Sequence, residues 1–346
     1  MNVDFIIVGQ GIAGTSFAFE LIKHNKTFVI VDQFKINTAS RVALGIYNPL
    51  VLKWFTKAWD VDKQLAYFYD FYNDLNIFLG SKLYSDLGIY KFLKTPYDQN
   101  NWLAKQSNSN RSRYMSSELC SIPNAGLIDQ KFYGVVKSAG RVDVRLLLNL
   151  FREHCINNNL LINKKLNYQD LHINSKFIQF EHVKSNNIIF CQGYSGINNP
   201  YFDNLRLKPT KGEILTIHSK DLKLKNIIHS GFLLSSTNND YYSVGATYDW
   251  QDINAIPTLT AKKKLINNLK SVIRVDYRIT NHEASIRPSS FDRRPLIGSH
   301  NKLKNLYILN GLGTRGILLA PYMSQCLINN IYKDIPIPNE ININRL

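Results

Sequence analysis

Three glycines stand in the run Gly9-Gln10-Gly11-Ile12-Ala13-Gly14, and Asp32 follows 18 residues after the last of them. That spacing suits one task, the holding of a dinucleotide. The first glycine permits a tight turn, the second lets a pyrophosphate approach the backbone, and the third lets a helix lie close to a strand. The N–H groups and positive dipole end of that helix face the phosphates. An aspartate closing the next strand accepts from the ribose hydroxyls and repels a 2′-phosphate, which disfavours NADP. The expected contacts are Gly9, Gly11, Ile12, Ala13 and Gly14, then Asp32 with its neighbour Gln33. Other chemistry is poorly provided for. Cys120, Cys155, Cys191 and Cys326 are far apart and form no CxxC pair, and the eight histidines are scattered, so neither a metal site nor a disulfide framework is expected. No Ser-His-Asp or paired-carboxylate arrangement stands out.

The elements that must position these residues are readable on either side of them. Asp4-Phe5-Ile6-Ile7-Val8 is a short apolar run typical of a buried parallel strand. Thr15 to Lys23 reads as a helix, and Thr27 to Val31 as a second buried strand ending on Asp32. This is the strand–turn–helix–strand context that the glycine pattern requires. Asn37 to Leu52 has the character of a loop, with Ser40, Gly45 and Pro49 and no alternation. Asp60 to Leu79 reads as a long aromatic helix. Residues 84–136 are polar and irregular, with NNWLAKQSNSNRSR as the expected surface excursion. After Gly140-Arg141-Val142-Asp143, the residues Val144, Leu147, Leu148, Phe151 and Cys155 form one apolar helical stripe. Asn187 to Cys191 is another buried strand, closed by Gly193. Lys211 to Ile217 and Tyr241 to Thr247 read as strands of a second sheet. Thr260 is placed to cap a helix with the stripe Leu265, Ile266, Leu269, Val272 and Ile273.

Composition bounds the class. The chain has 346 residues, 45% of them hydrophobic, which is globular composition with ample core. Phe5 to Phe19 is an uncharged stretch of 15 residues with three glycines, too short for a bilayer span. The N-terminus lacks a basic region and a small-residue cleavage site, so no secretory signal is expected. With four dispersed cysteines this fits a reducing, cytoplasmic setting. Lys and Arg number 42 against 26 Asp and Glu, a net charge of +16. Such a surface attracts nucleic acid or another polyanion, or it reflects a bias of the whole chain toward Lys, Asn, Ile and Tyr.

Two further segments narrow the reading. One is Glu283-Ala-Ser-Ile-Arg287-Pro288-Ser-Ser-Phe-Asp292-Arg-Arg-Pro295-Leu-Ile-Gly298; the other is Leu306-Tyr-Ile-Leu-Asn310-Gly311-Leu-Gly313-Thr-Arg315-Gly316-Ile-Leu-Leu-Ala320-Pro321. With the N-terminal fingerprint, and with GRVDVRLLLNLF, IIFCQGYSG, KGEILTI and YSVGATYDW in the same order, the chain resembles the D-amino acid oxidase-like family of FAD-dependent oxidoreductases. Within it, GLGTRGILLAP, IYKDIPIP, ININRL and ALGIYNPLVLK resemble the branch that forms the oxidoreductase half of the bifunctional enzymes of tRNA 5-methylaminomethyl-2-thiouridine biosynthesis. That branch usually carries a methyltransferase half first; with the fingerprint starting near residue 6, a free-standing oxidoreductase half is expected.

The resemblance implies an α/β fold of two domains. Residues 1–83, 137–208 and 283–346 would form a discontinuous, Rossmann-like FAD-binding domain. Residues 84–136 and 209–282 would form an interleaved, mostly antiparallel substrate domain like that of glycine oxidase. FAD would be held non-covalently, with Ser40 and Arg41 at the phosphates and Gly45, Gly193, Gly311, Gly313, Thr314, Gly316 and Ile317 near the flavin. Arg287 would grip a substrate carboxylate, the alternative being an ion pair with Glu283. Arg315 would hold the carboxylate or the anionic reduced flavin, or else merely cap a helix. Lys53 would place a cation near the flavin. Tyr241, Tyr242 and Tyr248 either line the substrate cavity or simply pack. The implied reaction removes a hydride from the carbon beside an amine nitrogen. Its substrate would be carboxymethylaminomethyl-uridine of tRNA, or a free amino acid or small secondary amine; passing electrons to a partner is the third reading. With a tRNA substrate, the charge of +16 becomes the expected docking surface.

Overall fold

The chain is described here by a computed structural model, which covers residues 1–122, 126–128, 132–174, 177–203 and 205–345. Five parallel strands form the heart of the first sheet, in the order Leu161–Ile162, Phe28–Val31, Asn2–Val8, Val183–Phe190, Leu306–Asn310. Antiparallel strands extend it: Leu296–Ser299 beyond Leu306–Asn310, and the hairpin Leu171–Ile173 with Ile178–Phe180 beside the start of Val183–Phe190. Phe28–Val31 and the strand ends 5–8 and 188–190 are apolar at every position because both of their faces are covered. Phe5, Ile7, Phe28 and Ile30 turn to one core, against the helices Ile12–Lys23 and Gly316–Lys333; Ile6, Val8, Val29 and Val31 turn to another, with Phe190 and Phe202.

A second eight-stranded sheet runs Arg278–Arg287, Thr210–His218, Tyr241–Gly245, Leu233–Asn238, Ile227–His229, Ile89–Phe92, Tyr133–Val136, Met115–Cys120. Neighbours are antiparallel except Ile227–His229 with Ile89–Phe92, which are parallel. Period-two alternation divides its faces. Leu215 and Ile217 pack with Leu265 and Leu269 of the helix Leu259–Lys270, while Gly212 and Ile214 face a cleft between the sheets. Segments 84–136 and 210–287 thus share one sheet. The strand Arg278–Arg287 runs through residue 283, where the sequence suggested a boundary.

Several expectations for local structure need correction. The segment 84–136 is not irregular: its described residues hold four strands, the helix Pro96–Gln106 and the short helix Ser109–Ser112. That helix starts with a capping box, Thr95 Oγ1 accepting from Asp98 N–H while the Asp98 carboxylate accepts from Thr95 N–H. Its Trp102 is fully buried against Phe55 and the bare backbone of Gly134. A surface excursion was read there because the apolar partners of Trp102 come from distant segments. The helix Leu259–Lys270 is capped by Thr258, not Thr260; Thr258 Oγ1 accepts from Ala261 N–H at 3.2 Å. The stripe of the helix Val144–Asn157 is as expected, with Val144, Leu147, Leu148, Phe151 and Cys155 all buried.

Candidate functional site

The C-terminal ends of the five parallel strands open into a cleft of about 1080 Å³, whose other wall is the second sheet. This is where open α/β sheets bind ligands, since the loops leaving the strands diverge there. Val8, Gly9, Gly11, Ile12 and Ala13 line it, as do Asp32 and Gln33 at the end of Phe28–Val31. Gly14 does not, and its job is packing: a Cβ there would stand 1.9 Å from the carbonyl oxygen of Gly9. At Gly11 a Cβ would meet only the Ser40 hydroxyl, at 3.1 Å, so the absent side chain leaves room on the cleft side. The helix Ile12–Lys23 has no side-chain cap at its N-terminal residue, and Ser40 Oγ accepts from Ile12 N–H at 3.0 Å. The first turn therefore presents N–H groups to the cleft, as a pyrophosphate requires.

Asp32 is braced on both oxygens. Oδ1 accepts from Gln10 N–H at 2.9 Å and Oδ2 from Arg152 Nη1 at 2.9 Å. Each oxygen keeps a second lone pair for a ribose hydroxyl. Arg152 is buried and also donates to Gln10 Oε1 and Asn163 Oδ1. Sequence reading missed Arg152, which lies 120 residues from Asp32; its only local signal is a cation in the stripe-bearing helix, four residues or about one turn after Leu148, the partner of Gln10.

Of the pair Ser40 and Arg41, only Ser40 lines the cleft. Arg41 turns away, donating to Asn149 Oδ1 at 2.6 Å with its guanidinium 4.5 Å from the Phe34 ring centroid. Adjacent residues of the short helix Ala39–Val42 point in different directions, so both could not serve the phosphates. Gly45, Gly193, Gly313, Thr314, Gly316 and Ile317 all line the cleft. Gly311 does not: its N–H donates to Asn310 Oδ1 at 2.8 Å and it packs on Leu296. The Gly313 N–H is also taken, by Pro288 O at 3.1 Å. What faces the cleft instead is the start of the helix Gly316–Lys333, again without a side-chain cap.

Arg287 stands on the second sheet, paired with Thr210, its guanidinium lying over Gly212, and the alternative expectation of a Glu283 partner is wrong. Glu283 pairs with Arg145, at 2.5 Å. Arg287 has no ion pair among the described residues; it donates to Thr247 O at 3.2 Å and Lys211 O at 3.4 Å and lies 4.6 Å from the Tyr248 ring centroid. Room for it comes from Gly212, where a Cβ would fall 2.0 Å from the guanidinium. Burial lowers the pKa of Arg287 from its usual value, and burial pushes Arg315 down to about 10. Arg315 donates to Asn48 O and has no ion pair among the described residues. Lys53 lines the cleft but is exposed and lies over Trp54. Tyr248 lines the cleft; Tyr242 packs into the core behind the sheet and Tyr241 against His218.

Two more features were not anticipated. His229 lines the cleft with a buried Nδ1 that has no hydrogen-bond partner among the described residues, and burial, with Lys91 beside it, pushes its pKa down to about 3. Lys211, almost wholly buried, donates to Asp252 Oδ2 and Ile256 O at 2.6 Å each and to Asn254 Oδ1 at 3.1 Å. It thereby holds the loop whose Ile253 and Ala255 wall the cleft.

The cleft's charge is one-sided. Lys35, Lys53, Lys164, Lys165, Arg287 and Arg315 line it against a single acid, Asp32, which is already bonded. A glycine-turn cradle, a braced ribose acceptor, two uncapped helix starts and a cationic cavity fit FAD, whose pyrophosphate and flavin need these donors. Among the described residues there is no cluster that could hold a metal ion, and no helix long and apolar enough to cross a membrane.

Fold and site together define a dinucleotide-binding oxidoreductase. The chain belongs to the FAD dependent oxidoreductase (DAO) family, whose model matches residues 4–329, and its cofactor is FAD. It is 25% identical over 183 residues to a tRNA 5-methylaminomethyl-2-thiouridine biosynthesis bifunctional protein of Marinobacter nauticus, covering 48% of this chain and 29% of that protein. It is 27% identical over 147 residues to the glycine oxidase of Bacillus subtilis, covering 40% of this chain and 39% of the enzyme. Neither match spans half of the relative's length. The crystal structure of glycine oxidase from Bacillus cereus superposes with a TM-score of 0.76 at 20% identity, over 96% of both chains.

Proposed function

We infer that this protein oxidises the C–N bond of an amine that carries a carboxylate, with the modified wobble uridine of tRNA bearing a carboxymethylaminomethyl group as its substrate. The observation that carries the reading is the buried Arg287, without an ion pair among the described residues, on the cleft wall opposite the nucleotide turn. An arginine kept charged and unpaired in a site with one acid is arranged for a carboxylate that arrives with the ligand. Bound FAD supplies the hydride acceptor. Arg287 would orient the carboxylate so that the carbon between it and the nitrogen turns toward the flavin, which Gly45, Thr314 and the start of the last helix would hold. Arg315 supplies positive charge at that same end. His229, neutral because it is buried, accepts from an amine N–H without repelling it. Loss of a hydride leaves an imine, which water hydrolyses, releasing glyoxylate and an aminomethyl uridine.

The tRNA substrate is supported by the similarity to the tRNA-modifying protein of Marinobacter nauticus and by the charge of +16. A small amine such as glycine is the second reading, supported by the Bacillus relative. The four free cysteines fit a reducing cytosol, and the two at the flavin-binding half, Cys155 and Cys191, are buried with pKa values raised by burial, which suits a non-covalent cofactor. Purified protein is expected to be yellow. Anaerobic bleaching by tRNA carrying the carboxymethyl modification, and not by glycine or sarcosine, supports the first reading; the reverse pattern selects the second. A protein bleached by no amine would be an electron carrier for a partner.

A further inference from the structure

Exposed aromatic rings adjoin residues that line the cleft. Tyr248 and Trp250 follow the strand Tyr241–Gly245, and their rings stack with centroids 6.2 Å apart and planes at 24°. They are 52% and 55% exposed. Tyr248 lines the cleft and covers the Arg287 guanidinium. On a different segment, Trp54 is 58% exposed, and Lys53, which lines the cleft, lies 4.6 Å from its ring centroid. Lys105 Nζ donates to the backbone oxygen of Trp54 at 2.6 Å, fixing that turn to the helix Pro96–Gln106. Each segment therefore brings a lining residue and an adjoining open indole to the cleft.

Large aromatic faces left in water at a site's mouth mark a surface that meets a partner. A small amine that slips inside to reach Arg287 has no use for them. Unpaired bases do, because every base offers a flat face for stacking and its phosphates seek nearby cations. The net charge of +16 supplies the long-range attraction, and the cleft adds only one acid against six cations. An acidic protein would use the lysines but not the flat faces.

Resting on the tRNA reading above, we propose that Trp54 with Lys53, and Trp250 with Tyr248, form a stacking rim that grips unpaired bases of an RNA loop on either side of the base that enters the cleft. Trp54 and Trp250 are thus specificity determinants that select an RNA-borne amine over a free one.

The test uses FAD-loaded protein and a labelled, unmodified anticodon stem-loop RNA, followed by fluorescence anisotropy across a range of salt. Trp54→Ser and Trp250→Ser are each expected to weaken binding about five-fold or more. The slope of log affinity against log salt should stay as in the parent, because the phosphate contacts remain. Lys53→Gln should instead lower that slope by about one. Trp250→Phe, which keeps a ring, should restore most of the binding lost in Trp250→Ser, a rescue that also removes misfolding as the cause. If the parent binds the stem-loop and both serine variants bind it equally well, the rim is overturned while the tRNA reading stands. Release of the RNA by poly-glutamate at matched charge would also overturn it, in favour of an acidic protein partner. If the parent fails to bind RNA even at low salt, the tRNA reading falls with the rim.

Discussion

Arg152 donates from Nη1 to Asp32 Oδ2 at 2.9 Å, while Gln10, inside the glycine turn, donates its N–H to the other oxygen of the same carboxylate. Gln10 Nε2 in turn donates to Leu148 O at 2.9 Å. The turn, the end of the second strand and the helix Val144–Asn157 are thereby tied into one polar network at the ribose end of the cleft. Replacing Arg152 by Met removes the charge that orients Asp32 while keeping the stem's bulk. A charged hydrogen bond contributes roughly 1.5–3 kcal/mol, so FAD affinity should fall about ten-fold or more. Titration of the apoprotein with FAD measures this; unchanged affinity would mean that the network serves only the fold.

The glycines of the turn separate fold from binding. Gly14→Ala drives a methyl group into the Gly9 carbonyl, 1.9 Å away, so the strand and helix must part. Loss of both thermal stability and FAD is expected. Gly11→Ala meets only a serine hydroxyl at 3.1 Å, which can shift, yet the methyl stands where a pyrophosphate would lie. That variant should melt near the parent apoprotein's Tm and fail to retain FAD. Scanning calorimetry of the two apoproteins distinguishes the cases.

Arg315 is charged at neutral pH although burial has pushed its pKa down to about 10, so the apoprotein bears the cost of burying an unpaired cation. Arg315→Met is expected to leave the apoprotein's Tm unchanged or raised and to weaken FAD binding, since a bound anion offsets that cost only in the parent. A Tm several degrees lower would assign Arg315 to the structural role of holding Asn48 O. Arg287→Lys should keep flavin absorbance and raise KM for a carboxylate-bearing amine at least ten-fold, because an ammonium cannot make the bidentate pair.

Acid should weaken the fold through His229. Its folded pKa of about 3 lies below the unfolded value near 6.5, so between those limits the unfolded chain binds a proton that the native one does not. Stability is therefore fully present above about pH 6.5 and declines as pH falls toward 3, at up to about 1.4 kcal/mol per pH unit for one proton. His229→Asn should flatten the dependence of Tm on pH between 6.5 and 5. Parallel curves for the two proteins would contradict a buried, neutral imidazole.

What could be read from the residues in order was whatever a contiguous stretch imposes on itself. The nucleotide turn is such a feature: Gly9, Gly11, Gly14 and Asp32 lie within one strand–helix–strand unit, so their spacing alone dictates a close-packed helix start and an acceptor beside it. The buried stripe of Val144–Asn157 is another, since helical periodicity is local. Chain-level reading failed where a residue's role depends on a distant neighbour. Trp102 looked like part of a polar excursion until Phe55 and Gly134 enclosed it. Arg41 and Gly311 carried the right residue types but face Asn149 and Leu296 instead of the cleft. Arg152 gained its role only when helix packing brought it to Asp32, and Arg287 its freedom only when Arg145 claimed Glu283 and Gly212 cleared a space. Backbone dihedrals and periodicity are properties of neighbours in the chain, whereas the charge balance of a cleft is set by which side chains long-range pairing leaves without partners, and only the tertiary structure decides that.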